Sequence, residues 1–272
     1  MHRKFEVSPA RRKSQISKIA YLLIKLISKS KIGQTFLTLC TLFTINQTRT
    51  TSIRGQEICF SFVSDTWLPR RFTDVETLEP DTLTWIDHAH HGGILWDIGA
   101  NVGGYSIYAA KSQQMNVFAF EPSPFNLEFL ARNIWLNKLE DKITVIPIAL
   151  SEFASQAPFV LKRIEWAGSG SSFSNFDDAT EVKENFNYVT IGIAADQVKN
   201  VFDVSLPDYL KLDVDGIEAL ILAGAIEVLS NVKSVLVEVQ GSEVDKKKIR
   251  DHLTRSGLHK ERSAHHNQIW SR

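Results

Sequence analysis

Cysteine is nearly absent from this chain: Cys40 and Cys59 are the only two in 272 residues. They provide neither a disulfide framework nor a metal-ligand spacing, and a reducing compartment is the simpler reading. Long apolar runs are lacking too. The best candidate, Ile16 to Ile27, is interrupted by Ser17, Lys18 and Lys25. No run reaches the roughly 18–20 residues that cross a bilayer. No small-residue cleavage site follows a clean apolar core, so a secretory signal fits poorly. Net charge is also missing, with 31 basic against 31 acidic side chains. That balance hides an asymmetry. Residues 1–55 hold 11 Lys or Arg and one acid, Glu6, which leaves 20 basic and 30 acidic side chains for the rest. A basic head ahead of an acidic body suggests that the head meets an anionic surface or docks on its own body. The acidic body argues against nucleic acid as a substrate.

The chain is long enough for one large domain and an extension. Residues 1–50 read as a basic amphipathic helical extension and 51–272 as the main domain. Ile16, Ile19, Ala20, Leu23, Leu26 and Ile27 recur at helical spacing, with Lys18, Lys25 and Lys29 on other faces. A second apolar stretch runs from Phe36 to Ile45. Residues 11–45 then have three destinations: an anionic membrane surface, packing on the body or a second copy, or organelle targeting. The location expected is cytoplasmic, with the inner membrane face as a peripheral option.

Residues 50–62 read as a hairpin turning near Gly55-Gln56. Residues 73–86 are partly helical, with Pro80 at a break or a helix start. Strands are expected at 94–97, 116–120, 143–148, 208–213 and 233–239, and helices at 103–112, 123–137, 216–229 and 243–256. Such alternation gives an α/β fold with a mostly parallel central sheet and helices on both faces. Extra strands are expected at 157–161, 188–193 and 268–270. The Gly- and Ser-rich insert at 163–187 reads as a lid at the carboxyl end of the sheet. Trp67, Trp85, Trp96 and Trp135 are core candidates, while Trp166 could stack on a substrate ring.

The most informative stretch is Trp96-Asp97-Ile98-Gly99-Ala100-Asn101-Val102-Gly103-Gly104. It reads as strand, tight Gly-rich turn and helix start, where backbone comes close to a ligand. A dinucleotide fingerprint needs three glycines, and Asn101 stands in the middle position. Asp97 at the strand end would repel a pyrophosphate but suits a cationic amino acid. Glu121 ends the next strand about 20 residues on, where a carboxylate accepts from ribose hydroxyls. These two acids favour S-adenosylmethionine, which carries an ammonium, a sulfonium and no phosphate. Asp97, Gly99, Asn101, Gly103 and Glu121 are the cofactor-binding candidates.

Several segments together resemble the FkbM-type methyltransferases. They are Glu79-Pro80-Asp81-Thr82, Asp97 to Gly103, Phe120-Glu121-Pro122-Ser123, Ala149-Leu150-Ser151-Glu152, Lys211 to Glu218 and Val235 to Val239. The resemblance covers about residues 53–272. One departure is visible: Asp215 stands where the family usually carries Glu. The resemblance implies a Rossmann-like class I methyltransferase fold and O-methylation of a sugar, a glycan or glycolipid precursor, or a secondary metabolite. By the same resemblance, Ser151 lies near the adenine.

Methyl transfer to a hydroxyl benefits from a general base near a strand end. Asp213 ends an apolar strand, with Asp215 and Glu218 within the next turn, and these three are the catalytic candidates. Clustered carboxylates raise one another's pKa. The same cluster could instead bind a divalent cation, or Asp215 and Glu218 could cap the helix at Gly216. His88, His90 and His91 lack the complementary ligands of a metal site, so no metal ligand is assigned. Three rivals stand beside an O-methyltransferase: an N-methyltransferase, a nicotinamide oxidoreductase, and a non-catalytic nucleoside-binding module.

Overall fold

The computed structural model describes residues 15–62, 75–161, 164–173, 186–264 and 266–272. The expectations for residues 1–14, Trp67 and most of the insert, 174–185, fall outside these. The two apolar stretches of the head fold as α1 (Gln15–Ile27) and α2 (Lys31–Ile45). Ser30 starts the second helix, its hydroxyl accepting from the Gly33 N–H at 3.0 Å. The expected hairpin follows as β1 (Thr48–Ile53) and β2 (Gln56–Ser61). Its turn is Arg54-Gly55, one residue earlier than expected, with both residues at positive φ. Two-residue turns of that hand match the twist of paired strands. Then come α3 (Val75–Leu78) and α4 (Pro80–Asp87), with Pro80 in the first turn of the latter.

The alternating segment supplies β3 (Ile94–Ile98), α5 (Gly104–Ser112), β4 (Asn116–Phe120), α6 (Pro124–Leu136) and β5 (Ile143–Ile146). Next are β6 (Ala149–Ser151), β7 (Ser155–Leu161), β8 (Ser171–Phe173), β9 (Phe186–Ala194) and α7 (Ala195–Phe202). The chain closes with β10 (Tyr209–Leu212), α8 (Glu218–Ala223), α9 (Ile226–Asn231), β11 (Ser234–Glu238), α10 (Glu243–Arg255), β12 (His259–Ala264) and β13 (Asn267–Ser271).

The main sheet has seven strands in the order β12-β13-β11-β10-β3-β4-β5. The five from β11 to β5 are parallel, and the β12–β13 hairpin adds two antiparallel strands at one edge. Parallel strands are covered on both faces, which explains their near-continuous apolar runs. Successive side chains point to opposite faces. Accordingly Trp96, Ile98 and Leu210 enter one core cluster, while Leu95, Val117 and Leu236 enter the other. A smaller sheet, β6-β9-β7-β8, buries Phe159, Leu161 and Phe173 against the first cluster. The fold is the expected Rossmann-like one.

Two details differ. The helix expected at 216–229 is two helices, interrupted at Gly224 and Ala225. Asp196 causes the restart: its carboxylate accepts from the Glu227 and Val228 N–H groups at 3.0 and 2.9 Å, capping α9. Trp135 is exposed rather than in the core, at 68%. Its helix buries Phe129, Leu130, Asn133 and Ile134 instead.

Candidate active site

The chain runs from β3 outward to β4 and β5, then returns to place β10 on the other side of β3. Ligands of open α/β sheets bind at such a switch point, beyond the carboxyl ends of the strands. Here the ends of β3 and β10 nearly touch. A Cβ on Gly99 would sit 1.9 Å from the Asp213 carbonyl oxygen, and Gly99 has φ +84°. Only glycine fits that approach. The turn is fixed from the neighbouring strand, where the Phe120 carbonyl accepts from the Gly99 and Ala100 N–H groups, both at 3.0 Å. Gly103 caps α5 in a left-handed conformation and packs on Leu130.

Two adjoining clefts open there, sharing Gly99, Asn101, Asp213 and Asp215. The first has a volume of about 550 Å³ and is walled by Ile98, Phe120, Ile148, Leu150 and Phe159. Glu121 lies in it, 5% exposed. Its carboxylate accepts from Ser123 N–H at 2.7 Å and Asn101 N–H at 2.8 Å. Burial pushes its pKa up to about 7 despite those hydrogen bonds. Two further cleft residues, Asn101 and Asn126, have buried side-chain oxygens without a hydrogen-bond partner. An apolar slot with a carboxylate and two waiting acceptors fits a nucleoside that brings hydroxyl and amino donors. Among the described residues lining this cleft there is no Lys or Arg to hold a phosphate.

The second cleft, of about 700 Å³, is bordered by Glu79, Tyr105, Lys211, Asp213 and Asp215. Lys211 is 1% exposed. The parallel register sets it beside Asp97 across β10 and β3. Its ammonium lies 3.3 Å from Asp97 Oδ1 and 3.2 Å from Asp213 Oδ2, and 5.2 Å above the Tyr105 ring centre. Burial alone would lower its pKa, but Asp213, Asp97 and Glu79 outweigh burial and hold it charged. Glu238, at the end of β11, hydrogen-bonds the Asp213 side chain. Burial and the Asp213 charge push its pKa up to about 8.

The candidates therefore divide. Gly99, Asn101, Glu121, Asp213 and Asp215 line the clefts. Asp97 lies beneath them, fully buried, and also accepts from Ser106 Oγ at 2.6 Å. Ser151 is buried on β6, while its neighbours Ala149 and Leu150 reach the first cleft. Glu218 is buried and accepts from Gly216 N–H at 3.1 Å. Asp215 caps no helix, because α8 begins only at Glu218. Instead it has φ +60° and accepts from Gly170 N–H at 2.7 Å. The described part of the insert walls both clefts. Gly168 carbonyl accepts from Asn101 Nδ2 at 2.9 Å, Ser171 and Phe173 line the first cleft and Ser169 the second. Trp166 turns away and meets Phe129 edge-on, with ring centres 5.6 Å apart. No group of three or more His, Cys, Asp or Glu among the described residues is arranged to hold a metal ion. His90 instead sits against the Tyr209 hydroxyl, with its Nδ1 at 3.2 Å, and near Asp208.

Sequence reasoning passed over Lys211, Glu238, Glu79 and Asn126 as site residues. A signal existed for the first: a lysine inside the apolar strand Tyr209-Leu210-Lys211-Leu212 needs a buried counter-ion.

The profile of the methyltransferase FkbM domain matches residues 97–263. The hexuronic acid methyltransferase AglP of Haloferax volcanii is 28% identical over 175 residues, which cover 64% of this chain and 66% of that protein. The methyltransferase sdnD of Sordaria araneosa is 26% identical over 171 residues, covering 52% of this chain and 64% of that protein. The match thus spans just under two thirds of each relative. A crystal structure of a methyltransferase FkbM from Methylobacillus flagellatus aligns with a TM-score of 0.48 and 15% identity, over 66% of this chain and 44% of that one. This chain belongs to the FkbM methyltransferase family.

Proposed function

We propose that the protein methylates a hydroxyl group of a sugar or sugar-like acceptor, with S-adenosylmethionine as donor. The observation that carries this reading is the position of Asp213 on the border of both clefts, with Glu238 bonded to its carboxylate. The donor, when bound, supplies an electrophilic methyl group on a sulfonium. Glu121 would accept from the ribose hydroxyls, and the orphaned oxygens of Asn101 and Asn126 would take further donors of the nucleoside. Asp213 would take up the acceptor's hydroxyl proton. Lys211 holds Asp213 in place by its ion pair. Glu238, protonated near neutral pH, keeps its own charge off that carboxylate.

The second cleft has three carboxylates against one ammonium at its border. Carboxylates accept hydrogen bonds from hydroxyls, which suits a polyhydroxylated acceptor. The name of the Haloferax relative supports the same substrate class.

Calorimetric titration with S-adenosylmethionine, followed by turnover on a panel of hexose and hexuronate glycosides, tests the reading. Glu121→Ala is expected to weaken donor binding at least tenfold. Asp213→Asn should keep donor binding and lose about 10²–10⁴ in turnover, the usual contribution of a general base. Donor binding without turnover on any acceptor in wild type would favour a binding module. Amines as the preferred acceptors would favour N-methylation.

A further inference from the structure

The two helices ahead of the body take no part in either cleft. On α2, Ile32, Phe36, Leu39 and Phe43 recur at spacings of four, three and four residues, and all four are exposed. On α1, Leu22, Leu23 and Leu26 are exposed as well. Neither core cluster contains a residue before Ile53, so no described part of the body covers these faces. Residues 15–45 carry four lysines and no Asp or Glu. Lys25, Lys29 and Lys31 lie exposed around the corner where α1 meets α2. The apolar surface continues onto the body. Arg132 donates to the Ile45 carbonyl at 3.0 Å, and Ile45, Trp135 and Leu136 share one shallow groove there. The exposed Trp135 belongs to a residue type that favours the membrane–water boundary.

The charge pattern chooses the occupant. A second copy pairing through the same face would bring two wholly basic helix pairs together. An anionic bilayer supplies hydrocarbon for the apolar side chains and negative headgroups for the lysines. No helix among the described residues is long and apolar enough to cross a membrane. At 15 residues, α2 is about 22 Å long, against a hydrocarbon core of about 30 Å.

We propose that α1 and α2 bind an anionic phospholipid surface, lying in its plane with their apolar side chains at the acyl boundary and their lysines at the headgroup phosphates. Docking there leaves the body in water beside that surface.

The test is co-sedimentation of the full chain with extruded vesicles, either phosphatidylcholine alone or equal parts phosphatidylcholine and phosphatidylglycerol. Partition into the anionic vesicles should exceed that into neutral ones at least tenfold and fall with added salt. The triple variant Lys25→Glu, Lys29→Glu, Lys31→Glu should lose at least about tenfold of the anionic binding. The double variant Phe36→Gln, Leu39→Gln should lose binding to both vesicle types. Unchanged thermal melting of both variants shows that the body is intact. Equal partition into both vesicle types, or into neither, overturns the proposal. So does a vesicle-free dimer of the wild type in sedimentation velocity that the Phe36→Gln, Leu39→Gln variant abolishes, because the occupant is then a second copy.

Discussion

Asp97 and Lys211 show how much one residue's meaning depends on its cross-strand neighbour. Asp97 reads from the sequence as a cofactor ligand, and in the fold its carboxylate is also the counter-ion of a buried ammonium. Removing one partner of such a pair leaves the other charge buried and alone, at about 3–5 kcal/mol. Lys211→Met is therefore expected to lower the denaturant-derived stability by that amount. The double variant Asp97→Asn, Lys211→Met should recover part of it, and purely additive losses would refute the pairing. Glu121 makes a pH-dependent prediction. Its pKa of about 7 lies above the ordinary 4.5, so the folded protein binds a proton more tightly than the unfolded chain. In the ligand-free protein this residue's contribution to stability falls as pH rises through that window. If the donor binds the ionised carboxylate as proposed, affinity should drop as pH falls below about 7, by at most about tenfold per unit. In Glu121→Gln, calorimetry should show only the ligand's own titration. Glu238 belongs with it. Ionisation through about pH 8 adds a negative charge beside Asp213, which would strengthen it as the proposed base. Turnover should rise through that pH in wild type and stay flat in Glu238→Gln. The acids Asp97, Glu121 and Asp213 were legible because each ends an apolar strand. Their partners Lys211 and Glu238 were not, because register between strands distant in sequence leaves no trace in local spacing.

At the scale of elements, the parallel strands were readable from apolar runs of four to five residues, and their helices from the segments between. The misses have physical causes. Strands β6 and β8 are three residues each, too short to show a period. The break between α8 and α9 depends on Asp196, about 30 residues earlier in the chain, through its hydrogen bonds at |i−j| of 31 and 32. The Gly-rich turn joins element to site. Gly99 and Gly103 share a positive φ, and each alanine there carries the left-handed cost of about 1–2 kcal/mol. Their neighbours differ. At Gly99 the obstacle is the Asp213 backbone at 1.9 Å, which moves only if β3 and β10 separate. At Gly103 it is the terminal methyl of Leu130 at 2.6 Å, which a rotamer change can shift. Gly99→Ala is expected to destabilise by at least about 2 kcal/mol more than Gly103→Ala and to abolish donor binding. Equal midpoints in urea would show that strand contact does not set the turn.

Across the whole molecule, the two core clusters cover the two faces of one sheet, and their members run from Ile53 to Trp270. The head adds nothing to either. Its described ties to the body are the Arg132 bond to the Ile45 carbonyl and the bond from Phe62 N–H to the Gln47 carbonyl at 2.7 Å, the latter on the hairpin side of the junction. Buried apolar area dominates folding stability, and a single hydrogen bond contributes about 1 kcal/mol. A chain beginning at Asn46 should therefore unfold within about 1 kcal/mol of the full chain and bind the donor with the same affinity. Urea denaturation and calorimetry of both chains decide this. A loss well beyond that would mean that the head packs on the body in solution, and the exposed faces of α1 and α2 would then need a cover other than lipid. Retained stability and donor affinity, with vesicle binding abolished, would separate two functions along one chain. Chemistry then belongs to the sheet and its switch point, and location to a pair of basic helices that fold beside it.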